Sequence, residues 1–186
     1  MIQITPSPTA DTRTCDYAAV TKETLFVSSA AHIGDVRDGL TFFMGRLGEA
    51  AFTHDLDKLT DIDSFHADFI TGFQEHGWLD RHRALNRHHL AQADGAPLDV
   101  NLIDVLEYIA DCVMAGMARS GRVSPLTVGP ELLERAFHNT VDLLVRHITV
   151  EQPASVDASD PQAAAPGHPS TRDPSSSASS SCESSS

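Results

Sequence analysis

The stretch from about Asn101 to Arg119 most constrains the fold, because it predicts a long helix that is apolar around most of its circumference. A helix of this kind has to be surrounded by other elements. We therefore expect it to be the buried centre of the domain. Its apolar residues recur at intervals of three and four: Leu102, Val105, Leu106, Ile109, Val113, Met114 and Met117.

Three carboxylates interrupt this apolar surface. Asp104, Glu107 and Asp111 stand at i, i+3 and i+7, which places them on one stripe of the helix. Buried carboxylates are costly unless they are paired or bind a metal ion. The stripe either faces solvent or lines a polar site inside the domain, and the extent of the apolar surface favours the second interpretation.

Four further helices follow from the same spacing, over about residues 28–47, 60–76, 78–90 and 130–147. Ser28 is an N-cap candidate of the first. No segment shows the alternation of a strand. The sequence therefore predicts an all-α fold, a single helical bundle of about five helices.

Composition divides the chain into three parts. Residues 1–27 contain few apolar side chains and are predicted to be a flexible N-terminal segment. Residues 28–150 form the predicted all-α domain, which is long enough for one core. Residues 151–186 are rich in Ser, Pro and Ala and cannot bury enough apolar area to fold, so we predict a disordered tail.

The net charge of −13 argues against a non-specific nucleic-acid binder, which needs a basic face. It is compatible with a site for divalent cations. No apolar run approaches the ~20 residues of a membrane span, and the start lacks the features of a signal peptide. The three cysteines are far apart in the sequence and show no spacing typical of disulfide pairs. This favours a reduced, intracellular protein. We expect a cytoplasmic protein without a membrane partner, whose oligomeric state stays open.

The run from His54 to Lys58, His-Asp-Leu-Asp-Lys, carries the strongest chemical signal. His54 and Asp55 place two types of metal ligand on adjacent residues, and Lys58 adds a group that binds phosphate. His32 on the first helix is either a further ligand or a surface histidine. Imidazole and carboxylate ligands suit a divalent metal such as Mn, Fe, Co, Ni or Zn, with Mg as a further option.

The predicted third helix is unusually polar. His82, Asn86 and His89 share one face, and Arg83 and Arg87 share a neighbouring one. The helix is either a solvated basic helix or one that directs imidazoles and guanidinium groups into a pocket. The density of histidines favours a pocket, although the spacing leaves open whether His88 or His89 faces it.

The order of His32, His54, Asp55 and Asp111 resembles the H…HD…D arrangement of the HD-domain metal-dependent phosphohydrolase superfamily. Asp111 ends an Ile-Ala-Asp run that is similar to the terminal ligand motif of that superfamily. The run at His54 is also similar to the HD-x-G-K form of cyclic-dinucleotide phosphodiesterases, with Asp57 in place of the glycine. The resemblance implies an HD-like bundle.

A nearer resemblance covers about residues 28–150. The segments 86–89 (Asn-Arg-His-His) and 100–111 resemble a family of small uncharacterised proteins common in bacteriophage and prophage genomes. This resemblance implies a phage origin and therefore the host cytoplasm, but no activity.

The resemblance to the HD superfamily implies metal-assisted hydrolysis of a nucleotide or a related small phosphate ester. The implied metal ligands are His32, His54, Asp55, His88, His89 and Asp111. The implied catalytic residues are Asp55, Lys58 and His89, with His89 as a general acid or a ligand. Phosphate would be bound by Lys58, Arg83, Arg87 and Arg119. The ligands would be supported by Asp104, Glu107 and His82.

Two alternatives remain open. One is a non-enzymatic phage accessory protein that binds a host factor. The other is a MazG-like nucleoside triphosphate pyrophosphatase. In this chain Asp104, Glu107 and Asp111 weakly resemble the Mg-binding carboxylates of that enzyme class. A site with an open coordination position beside Lys58 favours hydrolysis, whereas a closed site favours the accessory protein.

Overall fold

The computed structural model describes residues 1–7, 16–90 and 95–151. Five helices of eight residues or more, one single-turn helix and two three-residue strands make up this part of the chain, which confirms the all-α prediction. In chain order the elements are β1 (Ile2–Ile4), α1 (Lys22–Thr53), α2 (Asp57–Thr60), α3 (Ile62–Phe69), α4 (Trp78–Leu85), α5 (Leu102–Ser120), α6 (Pro130–Val145) and β2 (Ile148–Val150). The predicted disordered tail lies outside the described residues, except for Glu151.

The first helix is longer than the sequence predicted. It begins at Lys22, where the Thr21 hydroxyl accepts a hydrogen bond from the Thr24 N–H group at 3.1 Å. It then runs unbroken for 32 residues, or about 48 Å. The segment predicted to be flexible therefore includes the start of α1. It also includes β1, which pairs in parallel with β2.

A small apolar core forms where the first half of α5 meets α6. It consists of Leu90, Val100, Val105 and Ala136. The prediction that α5 is buried throughout is wrong, because Met114 is 69% exposed and Leu106 and Met117 are about half exposed. Among the described residues, the buried ones of this helix are Ile103, Asp104 and Val105 in its first turn.

A buried carboxylate fixes the start of α4. Asp68 accepts hydrogen bonds from the backbone N–H groups of His76, Trp78 and Leu79 at 2.9, 2.8 and 3.2 Å. Burial alone would raise the pKa of Asp68, but these hydrogen bonds outweigh it and the pKa is lowered. The same loop buries Trp78 against the ring of Phe65, with ring centroids 4.3 Å apart. Asp68 thereby orients the helix that carries His82.

A second polar anchor fixes the start of α5. Asp104 and Asn101 form a capping box, in which Asp104 accepts from the Asn101 N–H group at 2.9 Å. The Arg87 guanidinium binds both oxygens of Asp104 at 3.0 and 2.9 Å. Because Arg87 directly precedes His88, this ion pair ties the histidine segment to α5. None of the described helices is long and apolar enough to cross a membrane.

Replacing Asp104 by alanine should lower the unfolding free energy by about 2 to 4 kcal/mol, because both the helix cap and the bidentate ion pair are lost. Asp99 provides the matched control, since it also binds Arg87 but is largely exposed. Asp99→Ala should cost less than about 1 kcal/mol. Urea denaturation of the two variants measures the difference, and equal costs would contradict the role given to Asp104.

Candidate metal centre

Four imidazoles surround one carboxylate where the end of α1, the end of α4 and the middle of α5 meet. We call this group the histidine cluster. It consists of His54, Asp55, His82, His88 and His89. These residues come from three separate parts of the sequence, and each part reaches the cluster for a local structural reason.

Asp55 takes its place because the chain reverses directly after α1. His54 ends that helix, with its N–H group bonded to the Ala50 carbonyl. Asp55 then adopts a left-handed conformation with φ of 52°. This region is unfavourable for most side chains and least so for Asp and Asn. The backbone N–H group of Asp55 donates to the side chain of Asn86 at 3.3 Å, which helps to hold the turn.

The turn after α4 supplies two of the histidines. The helix predicted to continue to Leu90 ends at Leu85, and the Asn86 amide group donates to the His82 carbonyl at 2.9 Å. His88 and His89 therefore lie in a turn, not on a helix. Both rings belong to the cluster, with centroids 4.3 Å apart. This geometry answers the question of which one faces the site: both do.

Glu107 on α5 lies against two of the imidazoles and orients one of them by a hydrogen bond. Its Oε1 atom lies 2.9 Å from Nδ1 of His54, in a hydrogen bond, and 2.9 Å from Nδ1 of His88, where the alignment is too poor for one. A carboxylate only accepts, so Nδ1 of His54 carries the proton and its Nε2 lone pair is free. The Nε2 atoms of both rings lie 3.5 Å from Asp55. The predicted supporting role of Glu107 matches this placement.

Asp57 orients the imidazole of His82 in the same way. Its Oδ2 atom lies 2.8 Å from Nδ1 of His82, whose Nε2 atom is directed at Asp55 Oδ1 at 3.4 Å and at His89 Nε2 at 2.9 Å. The Asn86 amide group donates to the other oxygen of Asp57 at 3.0 Å. Neither Asp57 nor Asn86 was among the site residues predicted from the sequence. The signal that could have indicated Asp57 was its carboxylate, which stands where the HD-x-G-K motif has a glycine.

The donor atoms form two overlapping groups that share Asp55. His54 and His88 form one group with Asp55, and His82 and His89 form the other, each with donor atoms within 4.8 Å of one another. Ligands of one ion with bonds of about 2.1 Å lie roughly 3.0 to 3.4 Å apart. The separations of 2.9, 3.4 and 3.5 Å between donor atoms fit this spacing. His82, predicted to support the ligands, itself contributes one of the candidate donor atoms.

Unpaired buried atoms point to the same place. Asp55 Oδ1 and both ring nitrogens of His88 are buried and have no hydrogen-bond partner among the described residues. A buried polar atom without a partner costs about 1 to 3 kcal/mol. A cation between Asp55 Oδ1 and His88 Nε2 would satisfy both atoms, so the residues present fit a divalent metal.

The protonation states also suit metal binding. Burial acts to raise the pKa of Asp55, but the hydrogen bond and charge of Lys58 and the nearby imidazoles lower it overall. Burial and the neighbouring His88 and His82 lower the pKa of His89 to about 4. His89 is therefore neutral near pH 7, the form that binds metals. A neutral His89 does not suit the role of general acid that the sequence analysis allowed.

Asp111 and Lys58 lie at the edge of the cluster. Asp111 Oδ1 is 3.8 Å from Nε2 of His54, and about a third of its side chain is exposed. The Lys58 ammonium group donates to Asp55 Oδ2 and is also partly exposed. The structure thus brings both predicted residues to the site, with Asp111 at its solvent side.

The prediction that His32 is a ligand is wrong. His32 precedes His54 by 22 residues on the same unbroken helix, which separates them by about 33 Å. The prediction assumed that the chain turns back between residues 47 and 60. Because α1 continues through that stretch, His32 cannot reach the cluster. Its side chain is exposed on the surface of α1.

Two predicted supporting and phosphate-binding residues have structural roles instead. Arg87 binds the carboxylates of Asp104 and Asp99 and is not available for phosphate. Asp104 is engaged by Arg87 and by the cap of α5, so it does not support a metal ligand. Of the three carboxylates that resemble the Mg-binding pattern of a MazG-like pyrophosphatase, Asp104 is therefore already engaged.

The other two predicted arginines are both exposed. Arg83 directly follows the buried His82 on α4, and adjacent helix positions point about 100° apart. Arg119 follows Asp111 by eight residues on α5, which separates the two by about 12 Å along the helix axis.

No protein-family model, curated protein or solved structure matches the chain.

Replacing Asp55 by asparagine keeps a residue that tolerates the left-handed turn but removes the shared charge. We expect Asp55→Asn and His88→Ala to weaken binding of Mn²⁺ or Zn²⁺ at least about 100-fold, because each removes a ligand. Calorimetric titration of the purified protein measures the affinity. His32→Ala is the control and should bind like the wild type; an equal loss in His32→Ala would contradict the assigned ligand set.

Proposed function

We propose that the chain is a metal-dependent phosphohydrolase of the HD type that acts on a nucleotide or a related phosphate ester. The observation that carries this proposal is the position of Asp55, a carboxylate shared by two pairs of histidines and in contact with Lys58. A bound divalent cation supplies a nucleophilic hydroxide near neutral pH and a counter-charge for the phosphoryl oxygens.

The residues around Asp55 have separable roles in this reaction. Glu107 and Asp57 hold His54 and His82 with their Nε2 lone pairs toward Asp55. Asp55 is ionised near pH 7, because its pKa is lowered, and can accept a hydrogen bond from the attacking water. His89, neutral at the same pH, acts as a ligand or accepts a proton.

Lys58 is the cation placed to bind the substrate phosphate. Its ammonium group touches Asp55, and its side chain is 37% exposed, so it can turn from the carboxylate toward a bound phosphate. Arg87, a predicted phosphate ligand next to His88, is held by Asp104. The proposal therefore assigns the charge of the scissile phosphate to Lys58.

Space beside the cluster supports an enzyme over a closed structural site. A cavity of about 490 Å³ lies between α1 and α5, and His54, Glu107 and Asp111 line part of its wall. This volume is typical of a site for a small molecule. A protein that retained the metal only as a structural element would have no need of such a space.

A phosphate-release screen over nucleotides and simple phosphate esters with Mn²⁺, Co²⁺, Ni²⁺ and Mg²⁺ tests the proposal. On the substrate that is turned over, Lys58→Ala should lower kcat/KM about 100- to 1000-fold, because the charge that stabilises the transition state is lost. Metal affinity should change little.

Lys22→Ala is the matched control, since Lys22 is an exposed lysine at the far end of α1. It should retain wild-type activity. Metal binding without turnover of any phosphate ester would contradict the proposal and favour the accessory protein.

A further inference from the structure

Helix α1 carries a seven-residue apolar repeat, and the rest of the described chain leaves much of this row exposed between Phe26 and Met44. Phe26, Ile33, Leu40 and Leu47 are spaced by seven, and the positions three residues later hold Ser29, Val36, Phe43 and Ala50. We call this row the α1 seam. A repeat of 3.5 residues is the pattern of a helix that packs lengthwise against another helix, not of a helix that rests on a globular core.

The seam has no adequate cover within the described residues. Phe26 is 74% exposed, Ile33 57% and Leu40 59%, and the adjoining Met44 is 70% exposed. Isolated apolar residues on a surface are ordinary, but a row about three heptads long, in which Phe26, Ile33, Val36, Leu40 and Leu47 are exposed, marks an interaction surface.

Charge is distributed as an association surface requires. The chain is strongly acidic, yet Asp35, Asp38 and Glu49 occupy positions on the outer side of α1, away from the seam. The charged residues that flank the seam in this stretch are Arg37 and Arg46. Two such faces can approach without bringing carboxylates together, whereas most other surfaces of this chain would repel a copy of themselves.

The exposed area is sufficient for a stable dimer. Six apolar residues of α1 are between 36% and 74% exposed: Phe26, Ile33, Val36, Leu40, Met44 and Leu47. At about 100 Å² each, these side chains amount to roughly 600 Å², which is the share of one partner at the lower end of the standard interface range.

We infer that α1 packs lengthwise against α1 of a second copy of this chain. The seam requires a helix whose apolar residues also recur every seven positions, and α1 of a second copy carries that same repeat. The inference does not depend on the proposed function, since it concerns the uncovered face of α1 and not the chemistry of the cluster.

Sedimentation of the full chain between about 1 and 100 µM tests the inference. The wild type should give a particle of twice the 20.0 kDa chain mass, and its melting temperature should rise with concentration. Leu40→Glu should weaken the dimer at least about 100-fold, because it places a charge in the centre of the seam. Ile33→Glu, far from the cluster along α1, should do the same and keeps the test valid if Leu40→Glu fails to fold.

Ala31→Glu is the matched control, since it adds the same charge to an exposed position on the opposite side of α1. It should leave the dissociation constant unchanged within about threefold. A monomeric wild type, or an oligomer that Leu40→Glu and Ile33→Glu leave intact, would overturn the inference. A complex with a different protein in place of the dimer would overturn it as well.

Discussion

The arrangement of this domain depends on one largely buried carboxylate, Asp55, held among four imidazoles. Two other carboxylates, Glu107 and Asp57, lie at Nδ1 of the surrounding rings and leave the Nε2 atoms to converge on Asp55. Such an outer carboxylate is the usual partner of a histidine that binds a metal. The unpaired Asp55 Oδ1 atom is the point where a cation would complete the set.

The cluster also explains how so small an apolar core can hold the helices together. The core lies at one end of α5, whereas the cluster joins the end of α1, the turn after α4 and the middle of α5. If the ligands are assembled only in the folded state, the free energy of metal binding adds to the free energy of unfolding. In this chain, the polar contacts of the histidine cluster replace part of a hydrophobic interior.

The sequence was sufficient to predict five helices and the adjacency of His54, Asp55 and Asp111, because helical periodicity and the His-Asp motif are local signals. It failed where the outcome depends on distant contacts. His32 was placed wrongly because nothing local marks α1 as continuous past residue 47. The end of α4 was misplaced because Asn86 bonds to Asp57, 29 residues away in sequence, and this contact turns both His88 and His89 inward. The burial of α5 was predicted from its apolar composition. Composition alone does not show whether the residues that pack against a helix belong to the same chain.

Anomalous diffraction from crystals grown with Mn²⁺ or Zn²⁺, recorded at the absorption edge of the metal, tests the central claim most directly. The account predicts an anomalous peak between the Asp55 carboxylate and the Nε2 atoms of the surrounding histidines, at about 2.0 to 2.3 Å from its ligands. A fully occupied peak elsewhere, or no peak while the imidazoles bind only water, would contradict it.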